Sequence, residues 1–453
     1  MISHEFFDRM KILLGDEYGA FLDSLSKPPV KGMRVNTVKC RDFPLDFEYN
    51  IKKIPYCDEG FIVENAEGIG NTPEHAAGMI YMQDPGAMSA LSAVDIPRGA
   101  LILDCCAAPG GKSTQAYAAS GVGAFLVANE FVPKRAKICV SNFERLGIRD
   151  ALVLSLDTAE LAKMYSALFD LVICDAPCSG EGMLRKYDEA SSEWTAEGVL
   201  LCAERQREIL NNAAACVKAG GTLLYSTCTY STEENEGVVL DFLDSRPDFS
   251  LVPISERLRP YVKEGIALSG REELRMCARF YPHISEGEGQ FVAVLKRDEN
   301  INDLPTILYK DASISPSREE ERIAKAFLDD NLLPLSGIRL IKRGEFISIV
   351  PRDVKIPPKS VFLAGVCLGE IRGKNLFPHH HLFSAYGHMF KRRVELDFDD
   401  ERVYKYLWGE EIATDITESG YCAVMYKGCA LGGGKISGGV VKNHYPKGLR
   451  IKK

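Results

Sequence analysis

The spacing of apolar and polar positions divides the chain into segments of different texture. Near the amino terminus Phe6, Phe7, Met10, Leu13 and Leu14 recur at helical spacing behind Ser3, whose hydroxyl suits a helix cap. A short strand is predicted over residues 33–38, after Pro28-Pro29. A second helix start is predicted at Asp84-Pro85, with Asp as cap and Pro in the first turn. These pieces predict a small α+β domain over residues 1–93. From Ala100 the short apolar runs LILD, AFLVAN, ALVL, FDLVICD and GTLLYST alternate with helical stretches such as 133–146 and 197–218. Continuous apolar strands separated by helices predict a doubly wound, Rossmann-like α/β domain with a buried parallel sheet, spanning 94–297 and closed by QFVAVLKR. Residues 298–315 are polar and irregular and read as a linker. Ser315-Pro316 predicts a helix running through Asp330, and short strands with glycine turns follow, so 298–389 reads as a linker and an intermediate domain. Residues 390–453 read as a small β-rich module.

Composition removes several function classes. Hydrophobic content of 46% and charge of 26% are ordinary for a globular protein, and 453 residues suggest roughly three domains. No apolar run reaches the length of a bilayer span. The opening MISHEFFDRMK lacks the basic start and apolar stretch of a signal peptide, so a cytoplasmic location is expected. The 14 cysteines are scattered without a CxxC pair, which predicts buried packing residues rather than a disulfide framework or a zinc site. His379, His380 and His381 are adjacent and point in different directions with no clustered Cys or Asp, so a loop is predicted there rather than a metal site, and His283 and His388 are read alike. Net charge is −8, which argues against nucleic acid for the chain as one body. From Tyr421 to Lys453, however, there are seven basic residues (Lys427, Lys435, Lys442, Lys447, Arg450, Lys452, Lys453) and no acid. Because screening confines each field to about 8–10 Å, a local basic face can bind phosphate on an acidic protein.

Four loops carry the candidate chemistry. The first is LDCCAAPGGKSTQ, Leu103 to Gln115: a strand ends in Asp104, a loop of small residues follows, and a helix is predicted from about Ser113. Glycines there let backbone N–H groups approach a polar ligand at a helix start. A Walker loop is excluded because Cys106 stands where its first glycine would be, and the GxGxxG fingerprint is absent. The second strand ends in Asn129-Glu130, where an acid suits ribose hydroxyls, and the third near Asp157, free to meet an adenine edge. Asp175 is a further strand-end acid. It opens DAPCSGEGMLRK, and LLYSTCTYSTEENE runs from Leu223 to Glu236. Cys178 and Cys228 thus sit on loops at the ligand-binding edge of the sheet, where core packing does not account for them.

With these motifs the chain resembles the Sun/Fmu family of RNA cytosine-5 methyltransferases, and within it the RsmF-type bacterial ribosomal members. The matching stretches are AAPGGK, DAPCSGEG, STCT followed by EENE, RVNT at 34–37, RFYPH at 279–283 and NHYPKGLR at 443–450. The resemblance implies a class I methyltransferase fold, S-adenosyl-L-methionine as cofactor, and formation of 5-methylcytosine, most of all in 16S ribosomal RNA. It implies a cofactor site of Cys106, Ala107, Ala108, Pro109, Gly110, Gly111, Lys112, Glu130, Asp157 and Asp175, supported by Arg135. It also implies Cys228 as nucleophile, Cys178 as an aid to product release, and Asp175 on the cytosine edge. Ribosomal RNA or the small ribosomal subunit is the implied partner, gripped by a C-terminal module that resembles a PUA domain. The first strand ends in a doubled cysteine, with Cys106 expected at the family position, and residues 300–390 show few family features. Tyr187 and Trp194 are candidates to line the base pocket. Two other readings stand beside this one: an RNA-binding ribosome assembly factor without turnover, and a DNA cytosine-5 methyltransferase.

Overall fold

A computed structural model describes residues 3–40, 47–186 and 194–452. Helix His4–Leu14 begins as predicted, with the Ser3 hydroxyl accepting from Glu5 N at 3.2 Å. Beyond it lies a four-stranded antiparallel sheet in the order Ile51–Lys53, Gly60–Val63, Gly32–Val35, Ile80–Met82. The strand predicted to reach residue 38 stops at Val35, because Asn36 turns the chain and its carbonyl accepts from Lys39 N and Cys40 N. Asp84 caps helix Pro85–Ser92, its carboxylate accepting from Gly86 N at 2.8 Å.

The central sheet holds five parallel strands. In chain order these are Leu101–Asp104, Phe125–Asn129, Ala151–Leu154, Phe169–Asp175 and Val217–Thr227, and in space they run third, second, first, fourth, fifth. Antiparallel strands extend the sheet on both sides, Gln290–Arg297 beside the fifth, with Ala278–Phe280 and Lys263–Glu264 beyond it, and Val361–Ala364 beside the third. Successive residues of the inner strands serve opposite layers. Leu103, Val127, Val172 and Tyr225 pack against helix Ala196–Cys216, whereas Ile102, Leu126, Ile173 and Leu224 pack toward helices Pro85–Ser92 and Pro133–Leu146. Burial on both faces is why these strands read as unbroken apolar runs. Helix Ala196–Cys216 ends two residues before its predicted end, since Val217 already opens the fifth strand.

The segment after residue 297 is tied to this domain rather than hung from it. Thr306–Ile307 pairs with Tyr165–Ser166. Helix Arg318–Asn331 starts at Ser317 and not at Ser315, because Glu320 reaches back to Ser317 N at 2.8 Å and completes a capping box. A four-stranded antiparallel sheet follows in the order Ile338–Arg343, Phe346–Pro351, Val366–Arg372, Asn375–Pro378. The histidine triplet opens a helix instead of forming a loop. His379 accepts from His381 N and caps His380–Tyr386, while His381 Nε2 lies 3.1 Å from Ile148 O. The last module is a five-stranded sheet with helix Arg402–Trp408; its Val394, Tyr406 and Tyr426 share a core with Met33, Val35 and Met79 of the amino-terminal domain. Lys39 fastens the joint, donating to Ala77 O, Arg145 O, Ser384 Oγ and Ala430 O, and burial lowers its pKa to about 8.

Candidate active site

The first and fourth strands lie side by side, so the loops that leave their carboxyl ends meet. Cys105 N donates to Ile173 O across the seam at 2.9 Å. This is the topological switch point of an open α/β sheet, the place where such folds bind ligands. The first loop is shaped by Asp104, which is buried and holds Ser113 Oγ at 2.6 Å and Cys106 N at 3.2 Å. Burial raises the Asp104 pKa to about 7, partly opposed by the Ser113 bond. Asp104 therefore braces the loop and does not line the cavity. Helix Gly111–Ser120 starts two residues earlier than predicted, because Gly110 adopts φ 109° as its cap. A Cβ there would also come within 3.1 Å of Phe143.

A cavity of about 660 Å³ opens at the seam. Cys106, Ala108, Glu130, Arg135, Asp157, Asp175, Cys178 and Cys228 all line it. Ala107, Pro109, Gly110, Gly111 and Lys112 do not; they build the loop behind it. Glu130 is buried, takes Val132 N at 3.0 Å and meets Arg135 at 3.4 Å, while Arg135 also holds Ala108 O. Asp157 has two roles, since it faces the cavity and caps helix Thr158–Met164 through Ala159 N at 2.8 Å. Arg205, Glu208 and Ile209, on one face of helix Ala196–Cys216, complete the wall and were not picked out by sequence.

At the far end Asp175 is held from two sides. Lys112 Nζ donates to Oδ2 at 2.8 Å and Ser226 Oγ to Oδ1 at 2.6 Å. Burial pulls the Lys112 pKa down, but the charge and hydrogen bond of Asp175 outweigh it and hold it above the ordinary value; Cys228 also acts on this ammonium. Cys178 Sγ and Cys228 Sγ are 3.2 Å apart. The hydrogen bond with Cys228, and then burial, keep the Cys178 thiol well above its usual pKa.

The EENE stretch and RFYPH supply the scaffold for the two thiols. Glu234 accepts from Ser179 N at 3.0 Å and Gln206 Nε2 at 2.8 Å. Asn235 holds Thr227 Oγ1 and Thr229 O, and Glu236 pairs with Arg279. Glu181 collects donors from Trp194 Nε1, Thr229 Oγ1, Tyr230 N and Ser231 Oγ. Trp194 is therefore not a pocket wall: it packs edge-on against Phe6 in a separate buried cluster. Tyr187 lies outside the described residues. In RVNT, Arg34 reaches Thr114 Oγ1 at 2.8 Å and Gly111 O, tying the amino-terminal sheet to the cavity loop.

Comparison with known proteins matches three family models. Residues 92–296 fit 16S rRNA methyltransferase RsmB/F, residues 2–85 the N-terminal domain of 16S rRNA methyltransferase RsmF, and residues 393–451 the methyltransferase RsmF PUA domain. A ribosomal RNA small subunit methyltransferase F from Klebsiella pneumoniae is 30% identical over 95% of this chain and 92% of its own length. One from Aeromonas salmonicida is likewise 30% identical, with the same coverage of both chains. The chain belongs to the ribosomal RNA small subunit methyltransferase F family. The solved structure of a methyltransferase homolog protein from Pyrococcus horikoshii agrees in fold, with 28% identity, a TM-score of 0.55, and coverage of 65% of this chain and 95% of that one.

Membership makes the protein a ribosomal RNA methyltransferase that binds ribosomal RNA, with S-adenosylmethionine as methyl donor. The cavity fits that donor: an acid at the end of the second strand, an apolar wall of Phe131, Val132 and Ile209, and the small residues Cys106 and Ala108 of the first loop on the near side. Among the described residues no helix is long and apolar enough to cross a membrane. None of the three matched spans reaches residues 297–392.

Proposed function

We propose that the enzyme methylates carbon 5 of a cytosine in 16S ribosomal RNA, with Cys228 as nucleophile and Cys178 assisting release of the product. The observation that carries this reading is the pair of sulfurs 3.2 Å apart on the cavity wall beside Asp175. Carbon 5 of cytosine is a poor nucleophile. A thiolate adding to carbon 6 turns the ring into an enamine and makes carbon 5 the attacking atom, so one hard step becomes two easier ones. Lys112 places a cation beside both Asp175 and Cys228. Asp175 accepts from Lys112 and Ser226 and keeps lone pairs for the amino edge of the base, which favours the proton required at ring nitrogen 3.

S-adenosylmethionine supplies the methyl group as an electrophile, held by the loop Cys106 to Lys112, by Glu130 with Arg135, and by Asp157 and Asp175. After methylation a base removes the proton from carbon 5 and the Cys228–carbon bond breaks. Cys178 is a thiol at neutral pH and stands within hydrogen-bond reach of the departing sulfur. The base must leave its stack to enter, at a cost of roughly a few kcal/mol. The substrate is ribosomal RNA, free or within the small subunit, which sets the work in the cytoplasm. The chain divides at 93, 297 and 389 into the four parts read from its sequence.

The two thiols are separable by experiment. Cys228→Ala abolishes methylation and leaves no covalent RNA adduct. Cys178→Ala permits attack and methyl transfer but stalls elimination, so a protein–RNA adduct stable to denaturing electrophoresis accumulates. The swapped pattern would assign the DNA-type nucleophile, and wild-type protein that binds RNA without methylating it would favour the assembly-factor reading.

A further inference from the structure

The segment between the methyltransferase domain and the last module has a surface chemistry of its own. Over residues 338–378 the sequence carries eight Lys and Arg against three Asp and Glu, a net of +5 in a chain of net charge −8. These residues form the four-stranded antiparallel sheet, and its two faces differ. One buries Ile347, Ile349, Leu368 and Leu376 in a core with helix Arg318–Asn331. The other bears a row that runs across the strands: Arg343 opposite Phe346, Phe346 opposite Glu370, and Glu370 opposite Phe377. Directly opposed residues of antiparallel strands project to the same side, so the two rings stand on one face, two strands or about 10 Å apart. Each ring is 41% exposed. Arg372 lies 5.2 Å from the centroid of Phe377, and His379 meets Phe346 edge-on at 6.1 Å.

Beside this row, against helix Pro133–Leu146, lies a cleft of about 570 Å³. The Glu144 carboxyl faces it and accepts no hydrogen bond from the described residues, with His379 Nδ1 3.9 Å away. The same surface is continuous with the catalytic edge. Ser155 N donates to Ser360 O at 3.0 Å, and Lys359 pairs with Glu160, three residues beyond Asp157.

We propose that this face binds a single-stranded stretch of the RNA substrate next to the target, with bases stacking on Phe346 and Phe377 and phosphates near Arg372 and Lys374. Exposed rings interleaved with cations form a stacking platform, and every base offers a ring face whatever its identity. A duplex hides those faces, so the chemistry selects unpaired RNA. The Glu144 carboxyl, which accepts no hydrogen bond from the described residues, offers an acceptor to the amino edge of a base that enters the cleft. The inference rests on RNA being the substrate and not on the cysteine chemistry.

The test uses the full-length protein and a fluorescein-labelled single-stranded RNA oligonucleotide of mixed sequence, alone and annealed to its complement, read by fluorescence anisotropy. Phe346→Ala and Phe377→Ala each weaken single-strand binding about fivefold, the lower end of what one stacked base contributes, with duplex binding unchanged. Phe346→Trp keeps the single-strand affinity, and thermal unfolding checks that each variant is folded. Single-strand affinities within twofold of the parent in both alanine variants overturn the proposal, as does an equal loss on duplex. If the alanine variants lose binding to small ribosomal subunits while single-strand affinity stands, the face meets a ribosomal protein and the proposal fails. No adduct or methyl transfer is read, so failure of the cysteine reading would leave this result intact.

Discussion

Replacing Arg279 by Met should be among the most damaging single changes in the protein, although Arg279 touches neither cavity nor thiol. Its guanidinium is 3% exposed and its partner Glu236 is fully buried. Nε donates to Glu236 Oε1 at 2.7 Å, Nη2 to Oε2, and Nη1 to Tyr230 O at 2.8 Å. Glu236 Oε1 also takes Ile266 N at 2.9 Å. Removing the cation leaves a carboxylate inside the protein with one backbone donor and no countercharge, which costs about 3–5 kcal/mol. For a cooperative unit the size of the methyltransferase domain that corresponds to a fall in Tm of roughly 6–20 °C. Tyr230 follows Cys228 by two residues, so the thiol loop also loosens and single-turnover methylation falls more than RNA affinity. The double variant Arg279→Met with Glu236→Leu removes the stranded charge and should recover most of the Tm, because an ion pair replaced by apolar residues of similar volume is often neutral. Scanning calorimetry of the three proteins decides the matter. A loss below about 2 °C in Arg279→Met, or a double variant no better than the single, would refute the argument that the pair matters through burial.

Two further outcomes follow from the site and the last module. Asp157→Ala removes both a cavity carboxylate and a helix cap, so calorimetry should show S-adenosylmethionine binding weakened about tenfold and stability lowered by about 1 kcal/mol; unchanged cofactor affinity would remove Asp157 from the site. Lys435 and Lys442 stand directly opposite on neighbouring strands and both are exposed, a like-charge pair that disfavours the fold and suits an anion. Changing both to Gln should reduce the slope of log K for RNA against log salt by about 1.4–1.8, and an unaltered slope would mean that they meet no phosphate. Substitution is the better perturbation than deletion of 390–453, since that module shares a core with the amino-terminal sheet.

Much of this architecture was legible because it is written in short-range patterns. The five parallel strands are apolar runs bounded by glycine and acid, and the caps Ser3 and Asp84 act within two residues of themselves. Eight of the candidate cofactor and catalytic residues do line one cavity, since each follows a strand and the strands end on one edge. What stayed hidden depends on partners far along the chain. Val361–Ala364 pairs with a strand more than 200 residues earlier, and no local period announces that. The Lys112–Asp175 bond requires the first and fourth strands to be neighbours. Trp194 follows the DAPC loop in sequence, yet helix His4–Leu14 provides its packing. Asp104 ends a strand as Glu130 does, but only the fold shows that its side chain turns inward to Ser113.

The buried acids around the two thiols explain one another. A carboxylate withdrawn from water is costly unless its lone pairs are filled, and here each one is filled by a different part of a cysteine loop. Glu181, three residues after Cys178, draws in Thr229, Tyr230 and Ser231, which follow Cys228 directly. Glu234, six residues after Cys228, draws back to Ser179, which follows Cys178. Each loop therefore carries the acceptor that the other loop's donors require, and neither can be satisfied unless both are in place. Glutamine in place of Glu181 would put a donor among four donors, and alanine would leave them all unmet. The Sγ–Sγ separation of 3.2 Å is accordingly held by two reciprocal clamps as well as by the hydrogen bond between the sulfurs. That is why the motif extends past STC to EENE, whose side chains point away from the cavity yet set the position of the atoms that face it.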